Sequence, residues 1–349
     1  MKFSTSSSPI ASVYDIIGDI HGHAAELEAL LTRLGYYYRG GAWRFPRNER
    51  RVLFVGDYVD RGPEIPATVE LVRDMVAADS AWAVAGNHEY NAVAWHTPDG
   101  HDGWLRSHTP VHRRQHEATL VQYATSPGDL RSTLDWFRGL PLYWQNQHLR
   151  VVHAAWDDEL VAELNGNATP LRDDIFLHRS AYAGNRESQI VEVLLKGVET
   201  QLPAGAVYYD KEGTPRRKTR TRWWLTEAER TSMVDHRQSI TLGNIAMPPA
   251  DRELAQVTVP AEHVQHLPGY RDSRPIFFGH YWLSGPVAPL SDRVACLDYS
   301  VARGGALCAY RFDGTLPLTA DRFVCVSSNR RRGNRPPNRK LYRPRAPGQ

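Results

Sequence analysis

The chain has 349 residues, 42% of them hydrophobic, so it can bury a large core as one α/β domain or two smaller ones and is not disordered throughout. Its formal charge of +3 is uneven: Asn329–Gln349 carries eight Arg and Lys and no acid, so the remainder stands at −5 (+3 less 8). The sequence has no apolar run long enough for a transmembrane helix, and Met1–Pro9 lacks the apolar centre of a secretory signal.

Val13–Ile17 is a short apolar run ending at Gly18-Asp19 and reads as a buried strand. A helix follows, with Leu27, Leu30, Leu31 and Leu34 on one face and Gly35 as its stop. Gly40-Gly41 between aromatic runs predicts a hairpin over Tyr36–Phe45. Val52–Val55 is a second strand, ending at Gly56-Asp57, and a helix after Pro63 carries Val69, Val72 and Val76. Ala81–Ala85 is a third strand, ending at Gly86-Asn87. His112–Phe137 reads as two helices broken near Ser126-Pro127-Gly128, and Leu149–Val152 as a strand ending at His153. Residues 157–273 are polar and mixed, with a helix over Glu187–Leu195, and read as an insertion or cap rather than a separate folding unit. Ile276–Phe278 leads to Gly279-His280, and Val294–Leu297 and Ala306–Phe312 are closing strands. The Pro/Arg-rich tail, 329–349, is expected to be disordered.

Polar residues fall at the C-terminal end of each strand, the edge where open α/β sheets bind ligands. Five such ends carry metal-ligand side chains: Asp19 and His21, then Asp57, Asn87, His153 and His280. Asp, Asn and His together suit divalent metals such as manganese, iron or zinc, with manganese the first to add. In an extended segment Asp19 and His21 would share one side. The two oxygens of Asp57 could bridge two ions, and a hydroxide shared by ions about 4 Å apart would be a nucleophile at neutral pH.

The motifs Gly18-Asp19-Ile20-His21-Gly22, Gly56-Asp57-Tyr58-Val59-Asp60-Arg61-Gly62 and Gly86-Asn87-His88-Glu89, in order and followed by two later histidines, resemble those of the calcineurin-like metallophosphoesterases, in their phosphoprotein-phosphatase-like branch. The resemblance covers about 13–155 and 275–312. Tyr36, Gly41, Trp43-Arg44 and Pro46 are similar to bacterial members, among them the phosphatase module of polynucleotide kinase-phosphatases and the symmetrical diadenosine tetraphosphate hydrolases. It implies a central β-sandwich flanked by helices, with residues 1–328 as one metallophosphoesterase domain and the 157–273 insertion partly covering the site. It also implies two metal ions, the first held by Asp19, His21 and Asp57 and the second by Asp57, Asn87, His153 and His280. His88 would protonate the leaving group, Asp60 would hold the imidazole, and Arg61 would bind phosphoryl oxygens through its planar fork. The implied reaction is in-line attack by the bridging hydroxide without a phosphoenzyme.

His153-Ala154-Ala155 and His280-Tyr281-Trp282 depart from the family pattern without removing a ligand, and they alter the walls of the site. The second phosphate-binding arginine of protein phosphatases has no evident counterpart, and Arg179 is the candidate. The leading function is hydrolysis of phosphate monoesters on a phosphoprotein, a nucleotide or a nucleic-acid end. The alternatives are a phosphodiesterase or dinucleoside polyphosphate hydrolase, and a nucleic-acid-binding protein with a vestigial site.

His96, His101, His108, His112 and His116 fit no standard metal spacing and read as solvated or hydrogen-bonded side chains. The basic stretch Arg216–Trp224 allows three readings: a nucleic-acid surface, a hairpin whose tryptophans pack into the cap, or an active-site wall whose arginines bind phosphate. The tail could bind RNA or another polyanion, or be a solubilising terminus. Three scattered cysteines, Cys296, Cys308 and Cys325, predict free thiols in a reducing compartment and hence the cytoplasm.

Overall fold

The computed structural model describes residues 13–209, 215–247 and 252–328, together with the backbone of 341 and 342. Two sheets face each other. In the first, Tyr14–Ile17 pairs in parallel with Arg51–Phe54, which pairs in parallel with Ala81–Ala83. Ala306–Phe312 runs antiparallel on the other side of Tyr14–Ile17, and Asp298–Tyr299 and Phe323–Ser327 both pair with it. The second sheet has the order Val294–Cys296, Ile276–Phe278, Arg150–Val152, Tyr143–Gln145, with only the last pair antiparallel.

The apolar runs are continuous because these strands are buried on both faces. Tyr14, Ile16, Leu53, Val151, Phe277 and Ala295 point between the sheets. Their neighbours Ile17, Val52, Phe54, Val152 and Phe278 point outward into a second core shared with the helices. Helix Ala24–Leu34 buries Leu27, Leu30, Leu31 and Leu34 there. It ends at Gly35, whose φ of 89° is the left-handed closure that a residue without Cβ adopts freely. Helix Ile65–Ala77, the hairpin of Tyr37–Arg39 with Ala42–Arg44, and helices Pro110–Gln122 and Pro127–Arg138 also follow the sequence expectation. Helix Asn87–His96 was not expected. It starts directly at the end of the third strand, where Glu89 reaches back to accept the Gly86 N–H at 2.8 Å.

Residues 157–273 form short helices and two- or three-residue strands, including the pair Glu199–Gln201 with Lys218–Arg220. Trp223 and Trp224 are buried against Phe278 of the second sheet, at ring distances of 5.4 and 5.8 Å. Residues 210–214 and most of the tail lie outside the described residues; within the tail, Leu341–Tyr342 pairs with Val207–Tyr208.

The cysteine expectation is corrected. Cys308 and Cys325 stand opposite each other on adjacent antiparallel strands, with Cα atoms 4.2 Å apart, and form a disulfide. Their pairing depends on strand register, which their separation of 17 in sequence does not reveal. Cys296 alone is free, and it is buried. With two of its three cysteines paired, the chain does not carry the free thiols that pointed to the cytoplasm. Among the described residues, no helix is long and apolar enough to cross a membrane.

Candidate metal centre and phosphate cavity

The parallel strands of both sheets end at one edge. Asp19, Asp57 and Asn87 follow strands of the first sheet, and His153 and His280 follow strands of the second. The expected extended path from Asp19 to His21 is not found: the strand stops at Ile17, and His21 has φ 47°. Asp57, Asp60, Arg61, His280 and Trp282 are also left-handed, a conformation that costs a side-chain-bearing residue about 1–3 kcal/mol and must be held by its surroundings. Glycine is required where backbone meets ligand. A Cβ on Gly86 would lie 2.2 Å from Oδ1 of Asp57, and one on Gly279 would lie 1.8 Å from Oδ1 of Asp19.

Asp57 is the centre. Its Oδ2 lies 3.5 Å from Nε2 of His21 and 3.9 Å from Nε2 of His88, and its Oδ1 lies 3.4 Å from Nε2 of His153. His21 donates from Nδ1 to the carbonyl of Val59 at 2.9 Å, and His153 donates from Nδ1 to that of Val55 at 2.8 Å. Each neutral ring thus turns the lone pair of Nε2 toward a carboxylate oxygen, an arrangement of acceptor against acceptor that calls for a cation. Oδ1 of Asn87 lies 2.7 Å from Nδ1 of His280 and 3.1 Å from Nε2 of His153. Oδ2 of Asp19 accepts the His280 N–H at 3.0 Å. Among the described residues, Oδ1 of Asp19 and Nε2 of His21 are buried without a hydrogen-bond partner. Two donor groups converge closely: His21, Asp57 and His88, and Asp57, His153 and His280.

Burial holds His21, His153 and His280 below the usual imidazole range, in the neutral form that binds metal. Burial would raise Asp57, but His153, His88 and His21 outweigh it and hold the carboxyl at about 2. Asp19 is pushed well up by burial and by the Asp298 and Asp57 carboxylates, and Glu89 rises to about 7 through burial and Asp57. Such crowding of acids is relieved by bound cations.

Two of these acids carry roles not assigned from the sequence. Glu89 clamps the second motif. Its Oε2 takes the N–H groups of Gly86 and Asp57, each at 2.8 Å, and its Oε1 takes those of Tyr58 at 2.8 Å and Val59 at 3.4 Å. Asp298 follows strand Val294–Cys296 and accepts the N–H groups of Trp282 at 2.6 Å and Ser300 at 2.9 Å. Its position one residue past an apolar run was the available signal.

Nδ1 of His88 donates to Oδ2 of Asp60 at 2.5 Å, and Nη2 of Arg61 lies 3.3 Å from Nε2 of His88. Burial lowers the His88 pKa, but Asp57 and Asp60 more than offset it and leave the ring above its usual value. The guanidiniums of Arg61 and Arg303 each lie 4.0 Å from the Trp282 ring centre. These groups floor a cavity of about 210 Å³ whose wall includes Arg106, Arg216, Arg220 and Arg303. Arg179 is not among the lining residues: it is half-exposed and pairs with Glu187 at 2.7 Å. In the basic stretch the tryptophans are buried, and Arg216 and Arg220 line the cavity.

Among known families, the profile of the calcineurin-like phosphoesterases matches residues 14–199. A bis(5'-nucleosyl)-tetraphosphatase PrpE (asymmetrical) of Oceanobacillus iheyensis is 45% identical over 74 residues, 21% of this chain and 29% of that protein. Its counterpart from a Geobacillus species is 47% identical over 74 residues, 21% of this chain and 30% of its own length. The chain thus matches under a third of the length of these relatives. Among solved structures, the cold-active protein-tyrosine phosphatase of a psychrophilic Shewanella covers 88% of this chain and 80% of its own at 15% identity, with a TM-score of 0.45, a likeness too low to bear on function.

Proposed function

The chain belongs to the calcineurin-like phosphoesterase family, and we propose that it is a metal-dependent hydrolase of phosphate monoesters. The observation that carries the proposal is the buried Asp57 carboxylate facing three imidazole nitrogens at 3.4 to 3.9 Å. Asp19, His21 and Asp57 would hold one divalent ion and Asp57, Asn87, His153 and His280 the other, with manganese the first metal to test. Bound there, the metals would supply an acidified water and neutralise charge on the phosphoryl oxygens.

The chain's own groups do the rest. Arg61, flanked by the Trp282 ring, binds the phosphoryl oxygens and orients them. His88 is the acid. Its Nδ1–H is held by Asp60, so Nε2 faces the cavity and gives its proton to the leaving oxygen. The Asp60 carboxylate on Nδ1 favours the protonated ring that this role needs.

A second reading, cleavage of a dinucleoside polyphosphate, is favoured by the arginines of the cavity wall, more than one phosphoryl group needs, and by the tetraphosphatase names of the partial relatives.

The test is hydrolysis of p-nitrophenyl phosphate and its bis ester with added manganese, comparing wild type with Asp57→Asn. The substitution is expected to reduce turnover by about 10³-fold, the scale on which one principal electrostatic contact acts. It should also weaken metal binding in calorimetry. Equal turnover in both proteins would end the proposal, and preference for the bis ester would move it to a diesterase.

A further inference from the structure

Asp60 has more partners than the orientation of one imidazole requires. While Oδ2 takes the Nδ1–H of His88 at 2.5 Å, Oδ1 takes both the Nδ1–H of His116 at 2.8 Å and the hydroxyl of Thr119 at 2.5 Å. The Thr119 oxygen in turn accepts the backbone N–H of Asp60 at 3.1 Å. All four residues are buried. His116 and Thr119 stand three residues apart on helix Pro110–Gln122, so they share a face and reach Asp60 together. Among the described residues Nε2 of His116 finds no partner, so the polar contact of this ring is the one from Nδ1 to Asp60. The ring is boxed by His96 and Trp95 at centroid distances of 5.6 and 5.8 Å. Asp60 and Arg61 are both left-handed, so this loop depends on outside contacts for its shape.

We propose that His116 and Thr119 are positioning residues for the acid. They fix the Asp60 carboxylate so that its other oxygen meets Nδ1 of His88, and so aim Nε2 of His88 at the leaving oxygen. The inference rests on the reading of His88 as the acid. In that step the bond from phosphorus to the leaving oxygen breaks and its electron pair stays on that oxygen. The proton arrives from Nε2 of His88, while a new bond joins phosphorus to a water oxygen whose proton passes to solvent. His116 and Thr119 keep their protons throughout. The histidine-rich stretch thus contributes one member to the site, acting through Asp60.

A leaving group that is a strong acid needs little help from a general acid, and one that is a weak acid needs much. The test compares p-nitrophenyl phosphate with phenyl phosphate on the manganese-loaded full chain, as wild type, His88→Ala, His116→Ala, His116→Asn and Thr119→Val. For His116→Ala we expect kcat on phenyl phosphate to fall about 10- to 100-fold, the range for losing a partner that orients an active group. On p-nitrophenyl phosphate it should fall only a few-fold, with KM for both esters unchanged. His88→Ala should show the same bias more strongly. His116→Asn, which keeps an N–H donor, should recover part of the loss. Equal losses on both esters, or a change confined to KM, would overturn the inference. If His116→Ala unfolds by circular dichroism, Thr119→Val carries the same comparison. A wild type that hydrolyses neither ester defeats the phosphoesterase reading itself and takes this inference with it.

Discussion

The floor of the cavity and its wall are held in place by different means. On the floor, ligand side chains project from strand ends of two facing sheets, and the turns that aim them are left-handed at His21, Asp57, Asp60 and His280. Buried hydrogen bonds hold those turns, chiefly the four backbone N–H groups gathered by Glu89. On the wall, Arg216 and Arg220 come from strands of two and three residues, and Arg303 from a single 3₁₀ turn. The floor must place atoms where bonds change. On the proposed function the wall need only present charge, so substitutions there should separate substrate choice from chemistry.

The largest effect is expected on the floor. Glu89→Ala leaves four buried N–H groups without their acceptor, each costing about 1–3 kcal/mol if water does not replace it. Metal affinity should fall about 10- to 100-fold by calorimetry, and activity with it. Unchanged affinity would mean that the Asp57 turn holds itself. On the wall, Arg216→Ala and Arg220→Ala should leave metal affinity and p-nitrophenyl phosphate turnover within about twofold. For adenosine triphosphate, which carries charge beyond the reacting phosphate, they should raise KM about tenfold, the worth of one charge-assisted hydrogen bond. Equal effects on both substrates would erase the division between floor and wall.

The same division explains what the sequence revealed. Strands of the sandwich are apolar on both faces, so they appear as runs, and each ligand follows its run within four residues. Glu89 was visible as part of a motif, but its role was not, because its partners are backbone atoms about thirty residues away. His116 looked like one of several ordinary histidines, since its contact with Asp60 spans 56 residues and requires the packing of a helix. The sequence offered Arg179 as the second phosphate-binding arginine and gave no sign of Arg303; the fold carries the first to Glu187 and the second to the Trp282 ring. In residues 157–273 most described elements are helices of one or two turns or strands of two or three residues, and the helix read over Glu187–Leu195, found as Arg186–Val191 running on into Glu192–Lys196, was long enough to register.

The smallest effect is expected where the insertion joins the sandwich. Arg150, buried on the second sheet, lies 2.9 Å from both Asp158 and Asp272, near the two ends of the insertion, with its guanidinium 4.4 Å from the Trp156 ring centre. Asp272 also pairs with Arg274 at 2.6 Å. The Arg274 hydrogen bond, opposed by burial and aided by Arg150, holds the Asp272 carboxyl at about 2. A folded pKa below the unfolded value of about 3.9 stabilises the fold above that pH, and the gain is lost as pH falls toward about 2. Asp272 is close enough to solvent for screening to keep its contribution to no more than about 1 kcal/mol. Urea midpoints should therefore drop between about pH 4 and pH 2 by more in wild type than in Asp272→Asn, with the variant slightly less stable at pH 7. Parallel curves would show that the Asp272 charge does not hold this end of the insertion, and would leave Arg150 to act through Asp158 and the Trp156 ring.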